Sequence, residues 1–328
     1  ALMSVGTKLI AFIMFPLYTH LLPPAEFGVV GILDRATAIL TFLIIFGTDT
    51  AIAYFYFEAK EPEKKLMYVQ NVMGFRLLVA VLFTVLILLM GTQVAELLKI
   101  PNYQWAIYYS MFFLILDTIN TLVLTVYRFE GQTIRVVVIT LLKMLLMAIL
   151  SYVFLAYIDR SAEGMFLGRL LSIIVIVLIS GKQMLSFLKI RLDKNILREL
   201  LSYGAPLVPA SLALWVIASS NSYFILALEP NTQRALSQVG IFESAFRFAS
   251  VISLLTYGIQ MAWRPYSMQM KEHENGKEVF AKIYIAIFVI GIVGIMLVTF
   301  LMPWVVLLLD ESYQISFQYV GFLAFGSF

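Results

Sequence analysis

RELLSYGAPLVPASLALWVIASSNSYFI, residues 198–225, carries a charged segment into an apolar helix that opens with helix-breaking residues. Pro206 and Pro209 each lack a backbone N–H and push the preceding residue away from helical angles. Gly204 adds backbone freedom at the same place. In lipid, such a break persists only where the freed carbonyls face protein or a watery cavity. Proline-interrupted membrane helices therefore point to substrate pathways in transporters; the plain alternative is a tolerated kink. On the first reading Pro206, Pro209 and Pro16, which lies in the first apolar run, are candidate hinges.

The rest of the chain agrees with a membrane setting. Of its 328 residues 61% are hydrophobic and 13% charged, against about 25% charged in soluble domains. Cysteine is absent and the two histidines, His20 and His273, fall in loops, so neither a disulfide framework nor a metal site is expected. No signal-peptide pattern opens the sequence. It starts at Ala1 and stops at Phe328 inside an apolar run, as a piece of a longer protein would.

A membrane helix needs about 20 mostly apolar residues. That length predicts nine spans and the start of a tenth: 2–21, 28–57, 66–90, 103–127, 133–158, 163–187, 201–228, 237–263, 279–302, and a stub from Tyr313. The expected fold is an all-α membrane protein, a polytopic helical bundle of two six-helix lobes with the second truncated. The N-terminal lobe covers 1–190 and the C-terminal lobe 191–328. Alternate loops, beginning with the one that holds Lys60, Lys64 and Lys65, carry fourteen basic residues; the opposite loops carry Lys99, Arg160 and Arg234. The positive-inside rule then places the N-terminus in the cytoplasm. Trp105, Trp263 and Trp304, with tyrosines near the span ends, read as an aromatic belt.

GILDRA at Gly31 and GIFESA at Gly240 suggest an internal repeat with an offset of 209 residues. Six spans separate the two, so the orientation is kept and the repeat is parallel, with a pseudo-two-fold axis along the membrane normal. This alignment matches Asp34 with Glu243.

Charges within spans are functional candidates. The basic ones are Lys8, Arg35, Arg76, Lys143, Arg169 and Arg247; the acidic ones are Asp34, Asp49, Asp117 and Glu243. Glu243 and Arg247 are four apart and can share a helix face. They form either a self-neutralising bridge or part of a watery cavity, where the acid binds H+ or Na+ and the base meets an anion. Asp34 and Glu243 are accordingly the ion-coupling candidates. Ser219, Ser220, Asn221 and Ser222 hydrogen-bond either sugar hydroxyls or a neighbouring helix. Asp49 reads as a solvated cap. No Walker A lysine, G-x-S-x-G elbow or H-E-x-x-H motif occurs, so neither ATP-driven transport nor those hydrolytic chemistries are expected.

Four stretches together resemble one family. They are the YG-x-P-L-x-P-x-S-x-x-x-W helix from Tyr203, PLYTHLLPPAEFGVVGI from Pro16, GTDTAIAYFYFE from Gly47, and VGIFESAFRFASVISLL from Val239. Their order and spacing resemble the bacterial polysaccharide transporter or oligosaccharide flippase (Wzx-like) family of the MOP superfamily, which includes lipid II flippases and MATE exporters. The resemblance implies a non-enzymatic transporter in the bacterial inner membrane. Its cargo would be oligosaccharide on undecaprenyl pyrophosphate, flipped by alternating access, and membrane lipids and polysaccharide biosynthesis proteins would be its partners. No nucleic acid is implied, and the expected cofactors are none beyond Na+ or H+ as coupling ion. Spans one, two, seven and eight of this family line a central cavity. That makes Arg247, Arg35 and Lys8 pyrophosphate-binding candidates, with Asn221 and Ser219 beside them. The chain departs from the family at Asn221-Ser222, where Asp-Arg is frequent, and at Tyr54, where arginine is. Competing readings are a MATE-like exporter of organic cations, an integral-membrane polysaccharide polymerase or ligase, and a structural membrane subunit. The short loops argue against the enzyme.

Overall fold

The computed structural model describes residues 2–184, 190–253, 256, 258–259, 263, 266–267 and 276–328. All regular elements among them are helical. The helices are α1 (Leu2–Thr19), α2 (Pro24–Ile45), α3 (Thr48–Glu58), α4 (Pro62–Leu89), α5 (Gly91–Leu97), α6 (Gln104–Phe129), α7 (Thr133–Tyr157), α8 (Ala162–Met184), α9 (Lys194–Gly204), α10 (Val208–Leu228), α11 (Thr232–Ala249), α12 (Gly276–Val305) and α13 (Phe317–Ser327). Among the described residues, seven helical stretches are long and apolar enough to cross a membrane, and Leu9–Thr19 is a shorter apolar helix. The span expected from Ser237 to Trp263 lies partly outside the described residues, as does Ala262 of the expected repeat. The chain forms two compact units, one of residues 29–235 and one of residues 1–28 with 236–328.

In the 29–235 unit, α8 packs on α6 and α7, and α4 on α6. A Cβ on Gly168 of α8 would come within 2.6 Å of the Ser151 backbone on α7. Small residues let membrane helices approach in this way, since lipid supplies no hydrophobic drive between them. Ile44, Ala80, Met111 and Leu114 form a buried cluster joining α2, α4 and α6. VAELLKI, residues 94–100, forms the end of α5 and the residues after it. Lys99, in the left-handed region at φ 55°, donates to the Leu226 carbonyl of α10 at 2.7 Å.

Two helix breaks meet in this unit. The second expected span is not continuous: Phe46 (φ 46°) and Gly47 (φ 72°) separate α2 from α3. The proline-rich segment separates α9 from α10 by a 3-10 turn over Ala205–Leu207. A Cβ on Gly47 would collide with the Gly204 carbonyl, and one on Gly204 would come within 2.8 Å of the Phe46 carbonyl oxygen. Buried Arg76 holds the start of α3. Its Nε donates to Thr48 Oγ1 at 2.8 Å and its Nη2 to Asp49 Oδ1 at 2.6 Å. Asp49 is thus a half-exposed ion-pair partner in the first turn of α3 and not the cap expected, since Gly47 stands at the N-cap without a side-chain cap hydrogen bond. Helix α9 is capped by Asp193, which accepts from the Asn195 and Ile196 backbones. Buried Asn71 of α4 in turn accepts from the Asp193 N–H at 2.6 Å.

In the other unit, α2 starts against α11. A Cβ on Gly28 would meet the Leu236 carbonyl, and one on Gly240 the Pro24 carbonyl. Each added carbon would also lie within 3.2 Å of the other glycine's nitrogen. Only glycine permits this approach, whose geometry suits Cα–H to carbonyl contacts between helices. The contact is reciprocal, and it equates Gly28 with Gly240 and Pro24 with Leu236. Read as a repeat, this crossing has an offset of 212 residues, beside the 209 of GILDRA and GIFESA. Helices α12 and α13 complete the unit by packing on each other. Between them Asp310 caps a 3-10 turn, and the hydroxyl and N–H of Ser312 hold its carboxyl below the usual range.

Candidate functional site

Helix α2 places Asp34 and Arg35 side by side, and each finds a different partner within the 29–235 unit. Arg169 of α8 donates from Nη1 to Asp34 Oδ1 at 2.5 Å and from Nη2 to Oδ2 at 3.3 Å. This bidentate pair is 10% exposed on the arginine side and 40% on the aspartate side. The Arg169 guanidinium also lies 4.7 Å from the Phe166 ring. Its face is thus covered while its edge holds the carboxylate, an arrangement open to arginine and not to lysine. Asp34 therefore already holds a permanent cation.

Arg35 is buried and donates from Nη1 to the Ala218 carbonyl of α10. In return Trp215 Nε1 donates to the Arg35 carbonyl at 2.9 Å, and the Tyr223 hydroxyl reaches the Ile32 carbonyl at 3.4 Å. One turn of α2 is thereby fastened to the middle of the helix that begins at Pro206 and Pro209. Pro209 sits in the first turn of α10, where its missing N–H costs no helical hydrogen bond. On α10, Ser219 and Ser222 are buried while Asn221 is exposed. Tyr54 stacks on Tyr203 with centroids 5.0 Å apart, which ties α3 to α9.

Arg247 stands on α11 in the other unit. Its guanidinium carbon lies 4.7 Å from the Phe27 ring centroid and 5.1 Å from that of Phe15. The two rings are 5.3 Å apart, and Phe248 meets Phe15 edge-on at 5.6 Å. The buried Tyr313 hydroxyl donates to the Leu22 carbonyl at 2.7 Å, and its ring packs edge-on against Phe27. Rings offset a guanidinium through its face, while its five N–H donors lie in its plane and suit a planar or tetrahedral oxyanion. Pro16 lies inside α1, which continues to Thr19; the Thr19 hydroxyl and the His20 N–H both turn back to the Pro16 carbonyl. Lys8 stands on α1 with its side chain outside the described residues.

The glycine crossing also changes which residues correspond. At an offset of 212, Arg35 matches Arg247, seven residues beyond Gly28 and Gly240 respectively, and Asp34 matches Phe246. The expected match of Asp34 with Glu243 puts the two acids at equal depth. Counted from the crossing they differ by three residues, about 4.5 Å along a helix. Phe15 and Phe27 did not stand out among apolar helix residues; Arg169 was visible as an intramembrane charge and Trp215 as a motif residue, but their partners were not. The signal available for the crossing was the G-x6-R spacing that begins at both Gly28 and Gly240. Among the described residues, no group of three or more His, Asp or Glu side chains is placed to hold a metal ion.

A family model described as polysaccharide biosynthesis protein matches residues 1–271. A search of curated proteins finds no match. Among solved structures, an inward-facing multidrug resistance MATE family transporter of the MOP superfamily superposes with a TM-score of 0.68 at 17% identity, over 98% of this chain and 78% of that one. An outward-facing MATE family transporter gives 0.60 at 16% identity, over 99% and 77%. A Vibrio cholerae MATE transporter gives 0.57 at 15% identity, over 98% and 76%. At these identities the likeness is one of fold.

Proposed function

Because the chain belongs to the polysaccharide biosynthesis protein family, we propose that it is a membrane transporter that flips lipid-linked oligosaccharide across the bacterial inner membrane by alternating access. The cargo's headgroup would be an undecaprenyl pyrophosphate. The observation that carries this reading is Arg247 seated over Phe15 and Phe27. The rings offset part of the cost of a cation in the membrane, and a guanidinium suits the oxygens of a pyrophosphate. The same geometry counts against an exporter of organic cations, because the aromatic faces such a cargo would seek already carry a guanidinium. Arg35 and Lys8 add positive charge, and Asn221 and Ser219 offer hydrogen bonds to sugar hydroxyls. Glu243, and Asp34 in a state where Arg169 has released it, are the proposed carriers of the coupling H+ or Na+, with Pro16, Pro206 and Pro209 as hinges.

Flipping of a fluorescent lipid-linked oligosaccharide in proteoliposomes tests the reading. Arg247→Ala removes about two charge-assisted hydrogen bonds, so a loss of about 100-fold or more is expected. Arg247→Lys keeps a point charge and retains part of the rate. Full activity in Glu243→Gln with Arg247→Gln would overturn the phosphate role. The basic bias of alternate loops places the N-terminus and Lys194 in the cytoplasm and Asn231 outside. Impermeant thiol reagents applied to sealed cells should label Asn231→Cys and spare Lys194→Cys; the reverse pattern would refute the orientation.

A further inference from the structure

The stretch that leads into the proline-rich joint carries three cations with no partner in the chain. Within the spans of the 29–235 unit, Arg76, Lys143 and Arg169 each meet an aspartate: Asp49, Asp117 and Asp34 respectively. Arg191, Lys194 and Arg198 differ. They are exposed, and their side chains enter no hydrogen bond or ion pair among the described residues. The acids of the same stretch are engaged. Asp193 caps α9, and Glu199 accepts from the Tyr68 hydroxyl of α4 at 3.0 Å. The loop before α4 makes a contrast, because Glu58, Glu61 and Glu63 stand among Lys60, Lys64 and Lys65 and balance them.

Residues 190–193 are non-helical and lie against α4. A Cβ on Gly74 would meet Ile190 Cγ2 at 3.0 Å and Leu192 Cδ2 at 3.1 Å, yet Ile190 and Leu192 remain 57% and 49% exposed. Gly74 lies about 12 Å along α4 from Leu66, where its apolar run begins, so both side chains stand at a depth that acyl chains reach. Helix α9 has two faces. Leu200 is fully buried, while Lys194 and Arg198, four apart, share the exposed face. Half-buried Leu197 and Leu201 follow them by three residues and border that face. The 21 residues of α10 cover about 31 Å, the thickness of the hydrocarbon core, so α9 starts from the boundary between acyl chains and headgroups.

Bases on an exposed face with aliphatic side chains beside them suit the surface of an anionic bilayer. Long basic side chains lay their stems on apolar surface and carry the charge to the headgroup layer, where a guanidinium takes two phosphate oxygens at once. A soluble acidic partner would leave Ile190 and Leu192 without a use. We propose that residues 190–198 form a binding site for anionic membrane lipid. Arg191, Lys194 and Arg198 take the headgroup phosphate, and Ile190 and Leu192 contact the acyl chains. Asn71 and Tyr68 fix this segment to α4, and α9 leads straight into Pro206 and Pro209, so the lipid sits at the base of the proposed hinge.

Native mass spectrometry of the full chain, released from micelles that contain phosphatidylglycerol or phosphatidylcholine, tests this. Phosphatidylglycerol should bind more tightly than phosphatidylcholine. Arg191→Gln, Lys194→Gln and Arg198→Gln should each weaken its binding about fivefold, and the triple variant about 100-fold. Leu192→Ser should weaken it several-fold through the lost acyl contact. Lys60→Gln with Lys64→Gln, the balanced loop, should change it less than twofold. Equal binding of the two lipids, or unchanged binding in the triple variant, would overturn the proposal. An equal loss from the Lys60 and Lys64 pair would do the same, since the effect would then belong to positive charge in general. Displacement of the lipid by an equal concentration of glycerol 3-phosphate would show a site for soluble phosphate and refute the lipid. The single variants decide the matter even where the triple variant yields no folded protein. None of these readouts depends on the identity of the cargo.

Discussion

Arg35 and Arg247 occupy matching places, seven residues beyond glycines that touch, yet their surroundings treat them differently. Arg35 is tied edge-on to a backbone carbonyl of α10, and a tryptophan from the same helix grips its own carbonyl. Arg247 is held face-on by two phenylalanine rings. A guanidinium offers two distinct surfaces, a planar fringe of donors and a weakly hydrated face. In the first region the fringe fastens two helices; in the second the guanidinium carbon lies over two rings. Equal position in a duplicated pattern thus does not mean equal role, and the partner's chemistry decides which arginine suits a phosphate.

The comparison rests on the Gly28–Gly240 crossing, so the largest effect is expected there. Gly28→Ala and Gly240→Ala each drive a Cβ into a backbone carbonyl of the other helix, which cannot swing aside as a side chain would. Each should cost about 3 kcal/mol and cut the yield of monodisperse protein on size-exclusion chromatography to the same degree. A harmless Gly28→Ala beside a damaging Gly240→Ala would break the equivalence. A smaller effect tests the ionic lock between Asp34 and Arg169. Asp34→Asn leaves Arg169 without its carboxylate and should lower stability by about 1–3 kcal/mol, less than for a fully buried pair because Asp34 is partly exposed. Arg169→Gln in the same chain should restore the melting temperature. The smallest concerns the grip on Arg35. Trp215→Phe keeps the ring and loses one hydrogen bond, about 1 kcal/mol, with flipping retained; a large loss of flipping would show that Arg35 is more than a fastener.

The helical class and most span positions were legible because long apolar runs admit few alternatives in lipid. The break between α2 and α3 left only Gly47 and the cap reading of Asp49 as its signal, since Phe46, which also takes a positive φ, is no helix breaker. The repeat was read at an offset of 209, and the glycine contact suits 212. A slip of three residues rotates a helix by about 300°, only about 60° from a full turn, so apolar faces still coincide and the GILDRA and GIFESA matches outweigh the lone glycines. Arg76, Lys143 and Arg169 were visible as intramembrane charges, but their facing depends on neighbours far along the chain, Asp49, Asp117 and Asp34. The ring pair beneath Arg247 was illegible because phenylalanine is common on every apolar helix here, with 26 in the chain.

The approach of Gly47 to Gly204 has a mechanical consequence. Each glycine sits at a joint in a long helix, one between α2 and α3 and one between α9 and α10, and their backbones leave no room for so much as a methyl group. Two joints in such contact do not bend independently. A change of angle at the proline-rich joint presses on the other, where Arg76 anchors the first turn of α3 through Thr48 and Asp49. The contact therefore couples the two breaks, because neither joint can change its angle without displacing the backbone of the other.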